Sequence, residues 1–142
     1  MFSFLQDPDV KPQFTLAQIR AAHEQVKSGA DFPQYIQDII ALGVKKFETY
    51  VIDSHTLYFG MDGYQTKSEP QYEPLTITGE TNKVLFTSYL SQHQQGGSDY
   101  FTFCKHCVQT GVAKWTVDLK EMTCVYYDQA GLKILVEVIP TP

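Results

Sequence analysis

The sequence predicts an α+β fold made of two ααβββ units, with antiparallel sheets covered by helices. Apolar residues first recur at helical spacing, and from Lys46 onward the spacing changes to two. The same order of patterns returns after Gly79, as two helical segments followed by three alternating ones. We therefore expect one domain, with an N-terminal arm over residues 1–14 and the two units over residues 15–78 and 79–142.

Two helices are predicted at the start of the first unit. Thr15 and Gln18 have the spacing of a capping box, so the first helix should begin at Thr15 and end near Gly29. Asp31 is a suitable N-cap for the second helix, which Gly43 should close.

Six strands are predicted from runs of β-branched and aromatic residues between turn signals. Those of the first unit cover residues 46–53, 54–60 and 64–68. In the second unit, helices over residues 82–95 and 99–110 precede strands over residues 114–119, 122–127 and 132–139. Within these three strands a single apolar face is expected, formed by Trp115, Val117, Leu119, Met122, Cys124, Tyr126, Ile134, Val136 and Val138.

An internal repeat is predicted from a constant offset of 68 residues. Residues 29–63 align with residues 97–131 without a gap, and seven of the 35 positions are identical. The identities include an Asp at a predicted N-cap, a Gly at a helix end and a Gly in a turn, where the backbone geometry is demanding. This pattern favours an internal duplication.

Composition and charge exclude several classes of function. The formal net charge is −5 and the pI is near 5.2, so a general nucleic-acid binder or a binder of anionic membranes is not expected. No apolar run approaches the roughly 18 residues of a membrane span, and the first residues lack the pattern of a secretory signal. Three cysteines, an odd number, fit a reducing cytoplasm.

The motif CKHC at residues 104–107 has two chemical interpretations and one structural one. A zinc site would need four ligands, and a redox thiolate would need a position at a helix N-terminus. Cys104 and Cys107 align with Ile36 and Ile39 in the repeat, which favours packing as small apolar side chains. We therefore expect no metal and no cofactor.

The four histidines give no strong sign of catalysis. His55 follows Asp53 and Ser54, but three consecutive side chains cannot assemble a triad in which a base reaches the nucleophile. His23 is expected at the edge of the core, and the remaining two, His93 and His106, in solvent. No catalytic residue is assigned.

A polar patch in the first unit is the predicted ligand-binding site. The apolar face of the second unit corresponds here to a face with the hydroxyl-bearing residues Thr49, Thr56, Tyr58 and Thr66. Buried hydroxyls without partners are costly, so the patch is paired internally, open to water or lined for a ligand. We expect the first unit to pack its other face inward, with Tyr50, Ile52, Leu57 and Phe59, and the patch is the expected site if the protein binds a small molecule.

Three segments carry a resemblance to a known family: AAHEQVKSGADFPQYI, SDYFTFCKHCVQTGVAKW and MTCVYYDQAGLKILVEVIP. They are similar to the YdfO/YbcV-like family of small bacterial and prophage proteins, which are labelled phage-envelope-protein-like and have no known function. The likeness covers roughly residues 16–140. It implies an α+β fold, a cytoplasmic setting and a link to mobile elements, and it brings no catalytic or ligand residues.

These observations predict a non-enzymatic binding or accessory protein. We expect it to work through protein contacts, as a possible homodimer, without nucleic acid or membrane. The alternative is a small-molecule-binding domain or an enzyme that uses the hydroxyl patch, because a ligand pocket combines apolar walls with a few placed polar groups.

Overall fold

The computed structural model describes residues 11–27 and 29–142, so most of the predicted N-terminal arm lies outside the described residues. The α-helices of this part are α1 (Leu16–His23), α2 (Phe32–Leu42), α3 (Lys83–Gln94) and α4 (Tyr100–Gln109). Its strands are β1 (Lys46–Tyr50), β2 (His55–Phe59), β3 (Gln65–Lys67), β4 (Lys114–Asp118), β5 (Thr123–Tyr127) and β6 (Lys133–Val138). The α+β class and the order of the elements are confirmed.

The helix starts follow the capping residues with one exception. Thr15 and Gln18 form the predicted capping box, in which the Thr15 Oγ1 accepts the Gln18 N–H at 3.2 Å. Helix α1 ends at His23, earlier than expected. Asp31 makes no side-chain cap to α2, because it closes a short 3-10 turn and its carboxylate accepts the Lys27 N–H at 2.9 Å.

One antiparallel sheet replaces the separate sheets that the repeat predicted. Its strand order is β3-β2-β1-β4-β5-β6, so the strands of each half run outward from a central β1–β4 pair. In this pair Glu48 lies opposite Thr116, which is 68 residues away, and the Thr116 hydroxyl donates to the Glu48 carboxylate at 3.1 Å. The strands of the second half also begin 68 residues after those of the first.

The inner face of the sheet packs against the helices. Its members on the four central strands are Phe47, Thr49, Thr56, Tyr58, Trp115, Val117, Cys124 and Tyr126. The apolar ones share a core cluster with helical side chains such as Ile36, Ile39 and Phe86, each of which is fully buried. Thr49 and Thr56 therefore point inward, and the expectation that Tyr50 and Ile52 point inward is wrong.

The predicted face of β6 is wrong beyond Ile134. A bulge between Tyr126 and Tyr127 shifts the register by one residue, so that Leu135 lies opposite Tyr126. A shift by one residue moves every later side chain to the other face. Val136 and Val138 therefore point away from the core, and 52% and 79% of their surfaces are exposed.

Candidate functional site

The predicted hydroxyl patch lies on the inner face with the expected register. Thr49 lies opposite Thr56 and Tyr58 lies opposite Thr66, as the tight turn and the Gly63 loop predict. Thr49 and Thr56 are 4% and 7% exposed, and their hydroxyl oxygens are 2.8 Å apart. The two threonines therefore satisfy each other within the core.

The hydroxyl cluster, as we call Tyr35, Thr49, Thr56 and Tyr58, extends from the sheet to α2. Burial raises the pKa of Tyr58, and the neighbouring hydroxyls of Tyr35 and Thr56 lower it by a smaller amount. Burial raises the pKa of Tyr35 as well, so both phenols stay protonated and can donate. Tyr35 was not among the predicted site residues, because nothing local to α2 indicates a contact with a strand.

Thr66 is half-buried on the edge strand β3. The four predicted ligand-binding residues thus share one face, but two of them have their hydroxyls committed to each other. The ligand-binding role of Thr49, Thr56, Tyr58 and Thr66 stays a prediction.

The opposite, outer face of the sheet carries a second constellation. None of its side chains belongs to the core cluster formed by the described residues. On the four central strands it consists of Lys46, Glu48, Tyr50, His55, Leu57, Phe59, Lys114, Thr116, Asp118, Thr123, Val125 and Tyr127. Lys67 on β3, together with Lys133, Val136 and Val138 on β6, extends it to both edges.

One row of the outer face alternates basic and aromatic side chains across five strands. In register the row, which we call the outer row, consists of His55, Tyr50, Lys114, Tyr127 and Lys133. The His55 and Tyr50 rings are stacked with centroids 4.7 Å apart. The Lys114 Nζ lies 5.6 Å from the Tyr50 ring and 5.2 Å from the Tyr127 ring, within the range of cation–π attraction.

Lys114 also connects the outer row to the centre of the sheet. Its Nζ is 3.5 Å from the Glu48 carboxylate, which accepts the Thr116 hydroxyl as well. Burial raises the pKa of Tyr50, the neighbouring Glu48 raises it further and Lys114 lowers it. The composition did not indicate the contacts of Lys114 with Tyr50 and Glu48, because these residues meet only through the pairing of β1 with β4.

Asp53 and His55 form a pair at one end of the outer row. The Asp53 Oδ1 is 2.6 Å from the His55 Nδ1 and accepts the His55 backbone N–H at 3.0 Å. Ser54 points to the other side, where its hydroxyl is 2.5 Å from the Tyr100 hydroxyl. The three residues therefore form no triad, as their adjacency predicts.

Stability should depend on pH through this pair. Burial raises the pKa of Asp53, but the hydrogen bonds from His55 outweigh it and hold the pKa below its usual value. A carboxyl group whose pKa is lower in the folded state stabilises the fold at any pH above its unfolded-state pKa of about 3.9. This stabilisation is lost as the pH falls through the folded-state pKa.

We therefore expect Asp53→Asn to be less stable than wild type at pH 6, and we expect this deficit to shrink as the pH falls from about 4 to about 2.5. Chemical unfolding across this range measures the difference, with Asp62→Asn in an exposed turn as the matched control. A deficit for Asp53→Asn that stays constant across the range would contradict the assignment.

One cleft lies away from the hydroxyl cluster, and a smaller one borders the cluster at Tyr35. An open cleft of about 570 Å³ is lined by Asp53, Pro70, Gln71, Tyr72, Glu73 and Pro74. A smaller one of about 70 Å³ lies between α1 and α2 and is lined by Ala22, Gln25, Val26, Asp31, Gln34, Tyr35 and Asp38. Because Asp53 lines the larger cleft and also contacts His55, this cleft lies next to the outer row.

The cysteines of the CKHC motif lie in the core, as the packing interpretation predicts. Cys104 and Cys107 are fully buried and not in a disulfide. Burial raises the pKa of both thiols, which opposes a reactive thiolate. No group of three or more His, Cys, Asp and Glu side chains in the described part of the chain is arranged to hold a metal ion.

The other histidines lie on the helices. His23 is exposed beside Tyr35, so its expected place at the edge of the core is only partly right. His93 and His106 are half-buried and stacked on Phe103 and Tyr89, and their expected solvation is wrong. Burial lowers the pKa of His106, which favours the neutral ring.

A family model described as a protein of unknown function (DUF1398) matches residues 20–138. No curated protein matches the chain. Among the described residues, no helix has the length and apolar character needed to cross a membrane.

Proposed function

The chain belongs to the DUF1398 family, whose description assigns no function, and we propose that it is a non-enzymatic binding protein that holds a protein partner on the outer face. The observation that carries the proposal is the one-sided packing of the sheet. The helical core lies against the inner face, while the outer face keeps aromatic and aliphatic side chains half-exposed. Apolar surface of this kind, mixed with polar residues, is typical of interaction sites.

A small-molecule site or an enzyme at the hydroxyl cluster is the second candidate. It is favoured by the convergence of hydroxyls from α2, β1 and β2. A ligand that binds the hydroxyls of Thr49 and Thr56 would have to replace the contact between them, so this binding would require the core to open. The outer face requires no such change.

We also propose that the chain arose by duplication of an ααβββ unit. The proposal is supported by the offset of 68 residues, by the equal spacing of the strands and by left-handed backbone at equivalent positions, including Gly43 and Gly111. A cytoplasmic setting and an association with prophages remain part of the proposal, on the strength of the family resemblance.

A homodimer through the edge of β6 completes the proposed function. Ile139 N–H bonds to Met122 O, and backbone groups alternate in direction along a strand, so those of Val136 and Val138 point to the free edge. An exposed apolar edge is a template for another strand. Antiparallel pairing centred on Val136 avoids placing two Glu137 carboxylates opposite each other.

Site-specific photo-cross-linking in the host tests both contacts. A benzophenone side chain at Tyr127 should give a cross-link to a partner protein, and one at Val138 should give a product of twice the chain mass. The same side chain at Ser88, exposed on α3, is the control and should give neither product. Equal labelling from Tyr127 and Ser88 would contradict a partner on the outer face.

A further inference from the structure

The charge of the outer face is opposite to that of the protein as a whole. The strand residues of this face include four lysines, at positions 46, 67, 114 and 133, against the two carboxylates Glu48 and Asp118. The whole chain carries −5. The rest of the protein therefore carries more negative charge than the chain as a whole. The outer face is a basic patch on an otherwise acidic surface.

We propose that the segment of the partner that docks on the outer face is acidic and lies along the outer row. This inference rests on the proposed function and adds the chemistry of the partner. The row presents Lys114 and Lys133 on either side of Tyr127. Carboxylates of an acidic segment can pair with these ammonium groups, while its apolar side chains contact Tyr127 and the adjacent Val136.

Charge complementarity selects this occupant over a second copy stacked face to face. Such a copy would place the lysines of one outer face against those of the other, and like charges across an interface are costly. The dimer proposed above uses the edge of β6 instead and leaves the outer row available.

The same charges disfavour a nucleic acid. Its backbone has a charge on every nucleotide and needs a continuous basic surface. Here Glu48 stands within 3.5 Å of Lys114, and Asp53 lies at the end of the outer row beside His55. A protein segment can place single carboxylates where the lysines are and avoid both acidic residues.

Fluorescence anisotropy with defined probes tests the inference. The probe is a labelled twelve-residue peptide rich in glutamate and leucine, with a lysine-rich peptide of the same length and a dT12 oligonucleotide as comparisons. At low salt we expect the acidic peptide alone to bind, with a Kd that rises as salt is added because the contacts are partly exposed. We expect Lys114→Gln and Lys133→Gln each to raise the Kd by about fivefold.

The matched control is Lys105→Gln, which removes the same charge from the exposed surface of α4 and should leave the Kd unchanged. Because Lys114 also contacts Glu48, the Lys133 variant keeps the test valid if Lys114→Gln folds poorly. Tighter binding of dT12, or an equal response to Lys105→Gln, would overturn the inference. Failure of every probe while the cross-link from Tyr127 persists would overturn the acidic chemistry and leave the proposed function standing.

Discussion

Truncating Phe86 to alanine is expected to lower the free energy of unfolding by about 3–5 kcal/mol, the range for a fully buried aromatic side chain. Phe86 is 0% exposed. Its ring centroid lies 5.0 Å from that of Tyr126 on β5 and 6.2 Å from that of Phe103 on α4. The side chain thus joins α3 to both its neighbouring helix and the sheet, and its loss leaves a cavity that three rigid elements cannot fill.

Urea unfolding followed by Trp115 fluorescence measures this change. Trp115 is the single tryptophan. Its ring centroid lies 6.0 Å from that of Phe103 and 6.2 Å from that of Tyr126, so its fluorescence reports on the same region. Val84→Ala, two residues earlier on α3, is the control and should change stability by less than about 0.5 kcal/mol, because Val84 is 84% exposed. A loss below about 1 kcal/mol for Phe86→Ala would contradict this packing.

The strands and most of their pairing could be predicted because the relevant signals are local. Alternation defines the face of each strand, and a tight turn fixes which residues lie opposite one another. The turn before His55 was enough to place Thr49 opposite Thr56. The bulge in β6 has no such signal, since Tyr126 and Tyr127 continue the alternation, and the predicted face of Val136 and Val138 was therefore wrong.

Which face of the first half points inward could not be decided from its pattern. Both faces carry large apolar side chains: Phe47 and Val51 lie on one and Leu57 and Phe59 on the other. Leu57 is 8% exposed although it lies on the outer face, between Glu48 and Lys67 in register. Long charged side chains can cover an apolar neighbour in this way, so burial does not mark the core face here.

The outer row could not be predicted from alternation, because its residues come together only through the pairing of strands that are distant in the sequence. Under the proposed duplication the offset of 68 residues contains a relevant signal, because two equivalent antiparallel strands that pair about a twofold axis place one residue opposite its own equivalent. Glu48 and Thr116 satisfy this relation. With the axis at Glu48, as the observed register has it, the same relation places Tyr50 opposite Lys114.

The hydroxyl cluster allows a direct choice between a packed core and a ligand site. If Thr49 and Thr56 serve to satisfy each other, replacing either alone with valine leaves a buried hydroxyl without its partner. We expect each single variant to lose about 1–3 kcal/mol of unfolding free energy. In the double variant both hydroxyls are absent, and the total loss should be well below the sum of the two.

Urea unfolding of wild type, both single variants and the double variant completes this cycle, and the energy that fails to add is the coupling between the two hydroxyls. Thr123→Val, on the outer face of β5, is the control for the loss of a half-exposed threonine hydroxyl. If the residues are instead shaped for a ligand, the single variants should cost little and add without coupling, because natural binding sites sacrifice stability for function. Strong coupling would favour the packed core, because the interaction between the two hydroxyls then stabilises the folded state without any ligand.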